Sequence, residues 1–410
     1  MLFASLCGLS RVTQRKFAPD MNILHVISSV NMKGGGPIEG VRQLAAAHAR
    51  AGHATEVACI DAPETGADGD FPFPVHRLGP PLTHYRYSPH LLPWLRIHAR
   101  RYDAVVVNGL WQYGSFATWR ALKDTGTPYF VFTHGMLDPW FKREYPAKHM
   151  KKWLFWPWAD YRVLRDASAV LFTCEEERLL ARQSFWLYRC HEVVVNFGTA
   201  APPPDSGAQR AAFFERFPEV GGKRVVLFLS RIHTKKGCDL LLRAFAATAA
   251  THPDLHLVMA GPEQNGYGAA LRALARKLGI AERITWTGML TGVRKWGAYR
   301  AAEVFVLPSH QENFGIVVAE ALACGVPVLI SNKVNIWREV AEDDAGLVAG
   351  DDAHGTTELL QCWLALGADE RRGYSARALD CFARRFEMDH AARNVAAALA
   401  RGVSSLRHAA

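Results

Sequence analysis

Cysteine is scarce and scattered. Cys7, Cys59, Cys174, Cys190, Cys238, Cys324, Cys362 and Cys381 are the only eight in 410 residues, and they form no CxxC pair and no tight framework. That distribution argues against a disulfide scaffold and for a reducing cytosol. No run of about 18 apolar residues occurs, which argues against a membrane-spanning helix and leaves peripheral contact as the form a membrane association would take. The chain also lacks GxGxxG and GxxxxGK[ST], the signatures of dinucleotide-binding dehydrogenases and of phosphate-loop ATPases. It carries no recognised nucleic-acid module, so nucleic acid is not expected as a partner. A net charge of +9 attracts anions in general, from nucleotide phosphates to lipid headgroups, without choosing among them.

What is present is a large apolar fraction, 49% of 410 residues, enough for two domains of ordinary size. Residues 1–20 join a short apolar run to a basic tail, the reverse of a secretory signal. They read as a disordered extension, which a translation start at Met21 rather than Met1 would explain, with a short membrane-touching peptide as the alternative. From Asn22 onward short β-branched runs (ILHVISSV, TEVACI, DAVVVN, YFVFTH, AVLFTC, EVVVNFG) alternate with helical stretches, the grammar of a parallel sheet wrapped by helices. TAAPPPDSGAQ then reads as a linker. RVVLFLS, LHLVMAG, RITWTG, EVFVLPS and PVLIS restart the same pattern. The expected division is a first domain at 21–200, a linker at 201–222, a second domain at 223–385 and a terminal helix at 386–410 packing back on the first domain. Two doubly wound α/β halves in tandem enclose a cleft at the carboxyl ends of their strands, where the chemistry is expected.

The densest segment is SHQENFGIVVAEALACGVPVLIS, Ser309 to Ser331. A strand ends near Leu307, a polar loop follows, and a helix is expected from about Phe314, with Glu320 about two turns inside. Eight residues of continuous helix would turn Glu312 and Glu320 roughly 80° apart, so the two carboxylates have separate tasks. Glu312, in the loop, can reach a reacting sugar. Glu320 can accept hydrogen bonds from a ribose diol. The N–H groups of Asn313, Phe314 and Gly315 at the helix start face sugar oxygens or phosphate.

These residues resemble the signature of the retaining glycosyltransferases of family four, the glycosyl transferases of group 1, with two glutamates separated by seven residues. The resemblance extends to LFLSRIHTKKG, whose Arg231 and Lys236 stand where the family grips the donor diphosphate. It extends also to Gly34, Gly35 and Gly36 before Pro37, like the family's donor loop, and to His134 after YFVFT, like its histidine on the acceptor side of the cleft. It implies the GT-B fold, two Rossmann-like domains facing a cleft, and a hexose donor linked to UDP or GDP. It implies retention of configuration and no cofactor or metal. Glu312, His134, Arg231 and Lys236 are then the catalytic candidates. Donor contacts fall to Gly34, Gly35, Gly36, Arg231, Lys236, Glu312, Asn313, Phe314, Gly315 and Glu320. Fixed cations meeting the charge of a departing nucleoside diphosphate lower the barrier without reorganisation. The acceptor is expected to be a glycan or lipid-linked hydroxyl in surface-polysaccharide assembly, at the inner face of the cytoplasmic membrane.

Three features stay open between a functional and a structural reading. Asp138 either helps orient His134 or binds the acceptor, or it caps a helix. The stretch PWFKREYPAKHMKKWLFWPWADYRVLR either lies on an anionic bilayer or packs its tryptophans inward behind solvated lysines. Asp68-Gly69-Asp70 spells a metal-binding DxD but sits in a Gly- and Pro-rich loop that reads as a solvated turn. The competing functions are a sugar-nucleotide epimerase of similar architecture, needing no acceptor, and a catalytically silent module that binds nucleotide sugars or membranes.

Overall fold

The computed structural model describes residues 20–31, 36–64, 71–263 and 266–409, with side chains as far as Ser405. Gly34, Gly35, the DxD triplet and the extension up to residue 19 lie outside the described residues.

The first domain is a seven-stranded parallel sheet. Its strands are β1 (Asn22–Val26), β2 (Ala54–Cys59), β3 (Val75–Arg77), β4 (Ala104–Asn108), β5 (Tyr129–Phe132), β6 (Ala169–Phe172) and β7 (Glu192–Val194), in the order β3-β2-β1-β4-β5-β6-β7. The second is a six-stranded parallel sheet of β8 (Arg224–Leu229), β9 (Leu255–Ala260), β10 (Ile284–Gly288), β11 (Val304–Leu307), β12 (Val328–Ser331) and β13 (Gly346–Ala349), in the order β10-β9-β8-β11-β12-β13. Both orders reverse beside their first strand, at β1/β4 and β8/β11, and each reversal opens a crevice at the strands' carboxyl ends.

Strands covered by helices on both faces must be apolar at successive positions, and these are. On β5, Phe130 and Phe132 point to one core while Tyr129 and Val131 point to the other. The Phe130 layer continues through Phe197, Phe314 and Phe386 into the second domain. Its rings meet at the junction, with Phe314 5.4 Å from Phe197 and 5.8 Å from Phe386 between centroids.

The stretch 201–222, expected as a linker, holds a helix at Ser206–Arg216. Asp205 caps it by accepting from Ala208 N at 3.0 Å, and Phe213, fully buried, fixes it against the helix Gly292–Ala301. The closing helix runs Met388–Ala409 after a π-helical turn at Phe382–Phe386. It crosses back to the first domain and packs on the helix Gly36–Arg50 through Ala391, Ala392, Val395 and Leu399. His48 from that helix places Nε2 3.2 Å from Ala392 O, and Arg50 pairs with Asp389. No helix among the described residues is long and apolar enough to cross a membrane.

Candidate active site

The second-domain half of the cleft begins where β8 ends. Arg231 is exposed and has no ion pair among the described residues. His233 Nδ1 then accepts from Lys235 N at 3.1 Å, turning the chain into the helix Cys238–Ala249. Gly237 completes the turn at φ +65, and a Cβ there would stand 2.1 Å from Pro308 O, so only glycine lets this loop rest on the end of β11. That contact brings Lys236, 5% exposed, onto Glu312, with which it forms an ion pair. Burial alone would raise the Glu312 carboxyl, but the charges of Lys236, Lys235 and Arg231 prevail and hold it below the ordinary carboxylate range. Burial and the neighbouring Lys236 push the Lys235 ammonium down to about 8, and it lies 4.7 Å from the ring centroid of Trp140 and 5.1 Å from that of Phe141.

The helix after Glu312 is shorter than the sequence suggests. Gly315 takes φ +70, ψ 59 and the helix spans Ile316–Ala323, so Glu320 lies little more than one turn inside it. A left-handed residue cannot belong to a right-handed helix, which is why Phe314 stays outside. Among the described residues, the N–H groups of Asn313, Phe314 and Gly315 donate to no protein acceptor. Glu320 is buried, accepting from Lys295 Nζ at 2.6 Å and from Tyr299 OH at 3.0 Å. Glu39, on the first turn of the helix Gly36–Arg50, is raised by burial but lowered on balance by Arg42 and Gln43, with a further contribution from the charge of Lys295. The described end of the glycine loop, Gly36, therefore begins the helix that faces the Glu320 cluster.

The first-domain half is built on one buried carboxylate. Glu177 accepts from Thr133 Oγ1 and Gly135 N at 2.6 Å, and from Thr173 N and Oγ1 at 2.8 and 2.6 Å, tying the loops after β5 and β6 together. Between them His134 adopts φ +47, and burial lowers its imidazole to about 4, which leaves it neutral at neutral pH. Its Nε2 lies 3.2 Å from Asn108 Oδ1. Asn108 Nδ2 lies 3.1 Å from His25 Nδ1 and 3.2 Å from Val106 O; beside these acceptors it must be the donor, so Oδ1 receives the His134 proton and His134 Nδ1 is left as an acceptor.

Polar contacts join the halves. Gln311 Nε2 donates to Asp138 Oδ2 at 2.8 Å, Asn313 Nδ2 to Thr173 Oγ1 at 3.3 Å, and Arg338 Nε to Glu176 at 2.7 Å. Gly135, at φ +72, would bring a Cβ to 2.8 Å from Asn313. Asp138 also accepts from Trp140 N at 2.8 Å, and burial raises its carboxyl. Its carboxylate thus accepts from the first N–H of the helix Trp140–Glu144, whose N-cap is Pro139, and from Gln311 across the cleft.

The structure therefore brings Glu312, Lys236, Asn313, Phe314 and Gly315 together, faces them with His134 and Asp138, and leaves Glu320 in a separate cluster with Lys295. Asn108, Glu177, Lys235, Lys295, Tyr299 and Gln311 were not singled out in the sequence. Lys235 adjoins a flagged lysine and Gln311 a flagged glutamate, so proximity signalled both. Glu177 has a local partner in Thr173, four residues earlier, but its link to Thr133 and Gly135, like that of Lys295 to Glu320, crosses whole elements and leaves no local pattern. Among the described residues no cluster of three or more His, Cys, Asp or Glu side chains is arranged to hold a metal.

The model of the family described as glycosyl transferases group 1 matches residues 209–378, and that of the glycosyl transferase 4-like domain matches residues 35–196. A D-inositol 3-phosphate glycosyltransferase of Xylanimonas cellulosilytica is 34% identical over 225 residues, 53% of this chain and 52% of that protein. Another, from Mycobacteroides abscessus, is 39% identical over 149 residues, 36% of this chain and 32% of that protein. The match thus spans about half the length of the first relative and a third of the second. Sucrose-phosphate synthase from Thermosynechococcus elongatus superposes with a TM-score of 0.71 at 20% identity, over 95% of this chain and all of that one. Anabaena HepE in complex with UDP and glucose gives 0.70 at 18%, over 92% of this chain and 98% of that one.

Proposed function

The chain belongs to the glycosyl transferases of group 1, family four, and on that premise we propose that it transfers a hexose from UDP- or GDP-sugar to an acceptor hydroxyl with retention of configuration. One observation carries the reading. Lys236 is held on Glu312 beside Arg231, which has no ion pair among the described residues, at the shared carboxyl end of β8 and β11, opposite a neutral His134 in the loop after β5. Cations there meet the diphosphate as the bond from its oxygen to the anomeric carbon breaks; the acceptor oxygen bonds to that carbon from the same face and its hydroxyl proton passes to the departing phosphate oxygen. Glu312 positions the donor sugar, together with the unpaired N–H groups of Asn313, Phe314 and Gly315. Glu320 holds the ribose, with Lys295 orienting its carboxylate. Gly34, Gly35 and Gly36 approach the donor from the first domain, while His134 and Asp138 serve the acceptor side.

Anabaena HepE, solved with UDP, UDP and glucose, and UDP-glucose, favours UDP as the first donor to test. The acceptor is a glycan or lipid-linked hydroxyl in surface-polysaccharide assembly, reached from the cytoplasm. The names of the curated relatives support a second acceptor, an inositol phosphate. Incubation with UDP- and GDP-sugars, with and without each acceptor and with EDTA, tests the reading. Nucleoside diphosphate released only with an acceptor and unaffected by EDTA is the expected result. Conversion of donor alone to an isomer would make the protein an epimerase, and binding without turnover a silent module.

A further inference from the structure

The tryptophan-rich basic stretch divides in the structure. Trp156 is fully buried, packed on Phe185 at 4.2 Å between centroids, and Trp140 is half-buried under Lys235. The inward packing admitted by the sequence holds for these two only. The helix Pro146–Phe155 between them buries none of its residues. Met150 is 68% exposed, Trp153 46%, Leu154 64% and Phe155 67%, and Trp158 and Trp186 beyond it are 68% and 65% exposed. Trp153 and Trp186 lie 6.0 Å apart between centroids, so two separate segments contribute to one apolar patch. At about 100° per residue, Met150, Trp153 and Leu154 share one arc of the helix and Lys148, Lys151 and Lys152 another.

Lys142, Arg143, Lys148 and Lys151 have no ion pair among the described residues, whereas Lys152 is half-buried over the Trp111 ring, 4.4 Å from its centroid; Glu144 is the one acidic side chain between Lys142 and Trp158. Exposed tryptophan, phenylalanine and leucine beside uncompensated lysine is the chemistry of an interface with anionic lipid, in which rings sit at headgroup depth and ammonium groups meet phosphates. A second copy fits poorly, because a two-fold contact would set these cations against themselves.

We propose that the helix Pro146–Phe155, with Trp158 and Trp186, docks the protein on an anionic bilayer. The segment begins at the cleft, where Trp140 and Phe141 carry Lys235 next to the Lys236–Glu312 pair. Docking therefore brings the mouth of the cleft to the headgroup layer. That this serves a lipid-borne acceptor rests on the proposed reaction; the docking itself does not.

Flotation of the full chain with vesicles of phosphatidylcholine containing one third phosphatidylglycerol tests it, since flotation reads partition without turnover. The chain is expected to float with these vesicles, less so in high salt, and not with phosphatidylcholine alone. Lys148→Gln and Lys151→Gln should each weaken partition roughly fivefold. Trp153→Ser, Leu154→Ser and Trp158→Ser together should weaken it on the order of a hundredfold, while thermal stabilisation by UDP stays unchanged as a check on the fold. The proposal fails if the unsubstituted chain does not float with anionic vesicles, or if the triple serine variant floats as well as it does. It fails too if sedimentation shows a dimer that the serine variant dissolves, which would assign the face to a second copy.

Discussion

A buried ammonium persists only beside an anion, and Lys236 at 5% exposure has Glu312 for that purpose. The same pairing keeps the carboxylate ionised where the donor sugar would lie. His134 is prepared differently, through an amide whose polarity is fixed by the acceptors around it. Asn108→Asp changes that polarity. A carboxylate beside the imidazole favours its charged form, so His134 should titrate well above its present value of about 4. If neutral His134 is the working form, the acid limb of kcat/KM against pH moves toward neutrality, and the rate near pH 6 falls by on the order of tenfold. Stability should drop by about 1–3 kcal/mol, because an acceptor then faces Val106 O. An unchanged pH profile in a folded variant would remove His134 from the reaction. The candidates legible in the sequence were those standing within a few residues of a strand's carboxyl end, such as Arg231, Lys236, Glu312 and His134. Lys295 and the reach of Glu177 to Thr133 and Gly135 were not, because those partners are brought together only by packing of distant elements.

At the scale of elements, long β-branched runs revealed eleven of the strands, since a strand buried on both faces admits little else. The edge strands β3 (VHR) and β13 (GLVA) carry one β-branched residue each and did not stand out, whereas the equally short edge strand β7 did through its consecutive valines. The helix Ser206–Arg216 was obscured by its Pro- and Gly-rich approach, although Phe213 and Phe217, one turn apart, carry its packing. The crossing helix introduces a pH dependence. His48, buried beneath it, is lowered to about 4 by burial, against an ordinary value of 6.5. Above pH 6.5 the residue is neutral folded and unfolded alike. Between pH 6.5 and about 4 the unfolded chain takes up a proton that the folded one refuses, so stability is lost as pH falls, by up to on the order of 3 kcal/mol. His48→Leu should cost less than about 1.5 kcal/mol at pH 7, because Ala392 O lies within a helix, and should flatten the fall toward pH 4.5. Urea midpoints at both pH values measure this, and parallel slopes for variant and parent would contradict it.

For the whole molecule, the question is what holds two domains that share one apolar layer in register across a polar cleft. The Phe197–Phe314–Phe386 contact supplies the apolar hinge, and Gln311–Asp138, Asn313–Thr173 and Arg338–Glu176 supply the polar clamp on the cleft side. On the proposed reading Arg231, Lys236, Glu312 and Glu320, all in the second domain, carry most of the donor contacts, with the first-domain glycine loop as the exception, so UDP binding should depend less on domain register than transfer does. Gln311→Ala removes one clamp and leaves Asp138, already raised by burial, with Trp140 N as its remaining hydrogen-bond donor. Misplacing the two halves by a fraction of an ångström costs rate more than affinity, because only the transfer step needs donor and acceptor aligned. The variant should therefore bind UDP within about twofold of the parent while kcat falls on the order of tenfold. Calorimetry with UDP and initial rates with donor and acceptor separate the two quantities. If UDP affinity falls in step with kcat, Gln311 belongs to the donor site itself, and if kcat is unchanged, the clamp does not govern alignment.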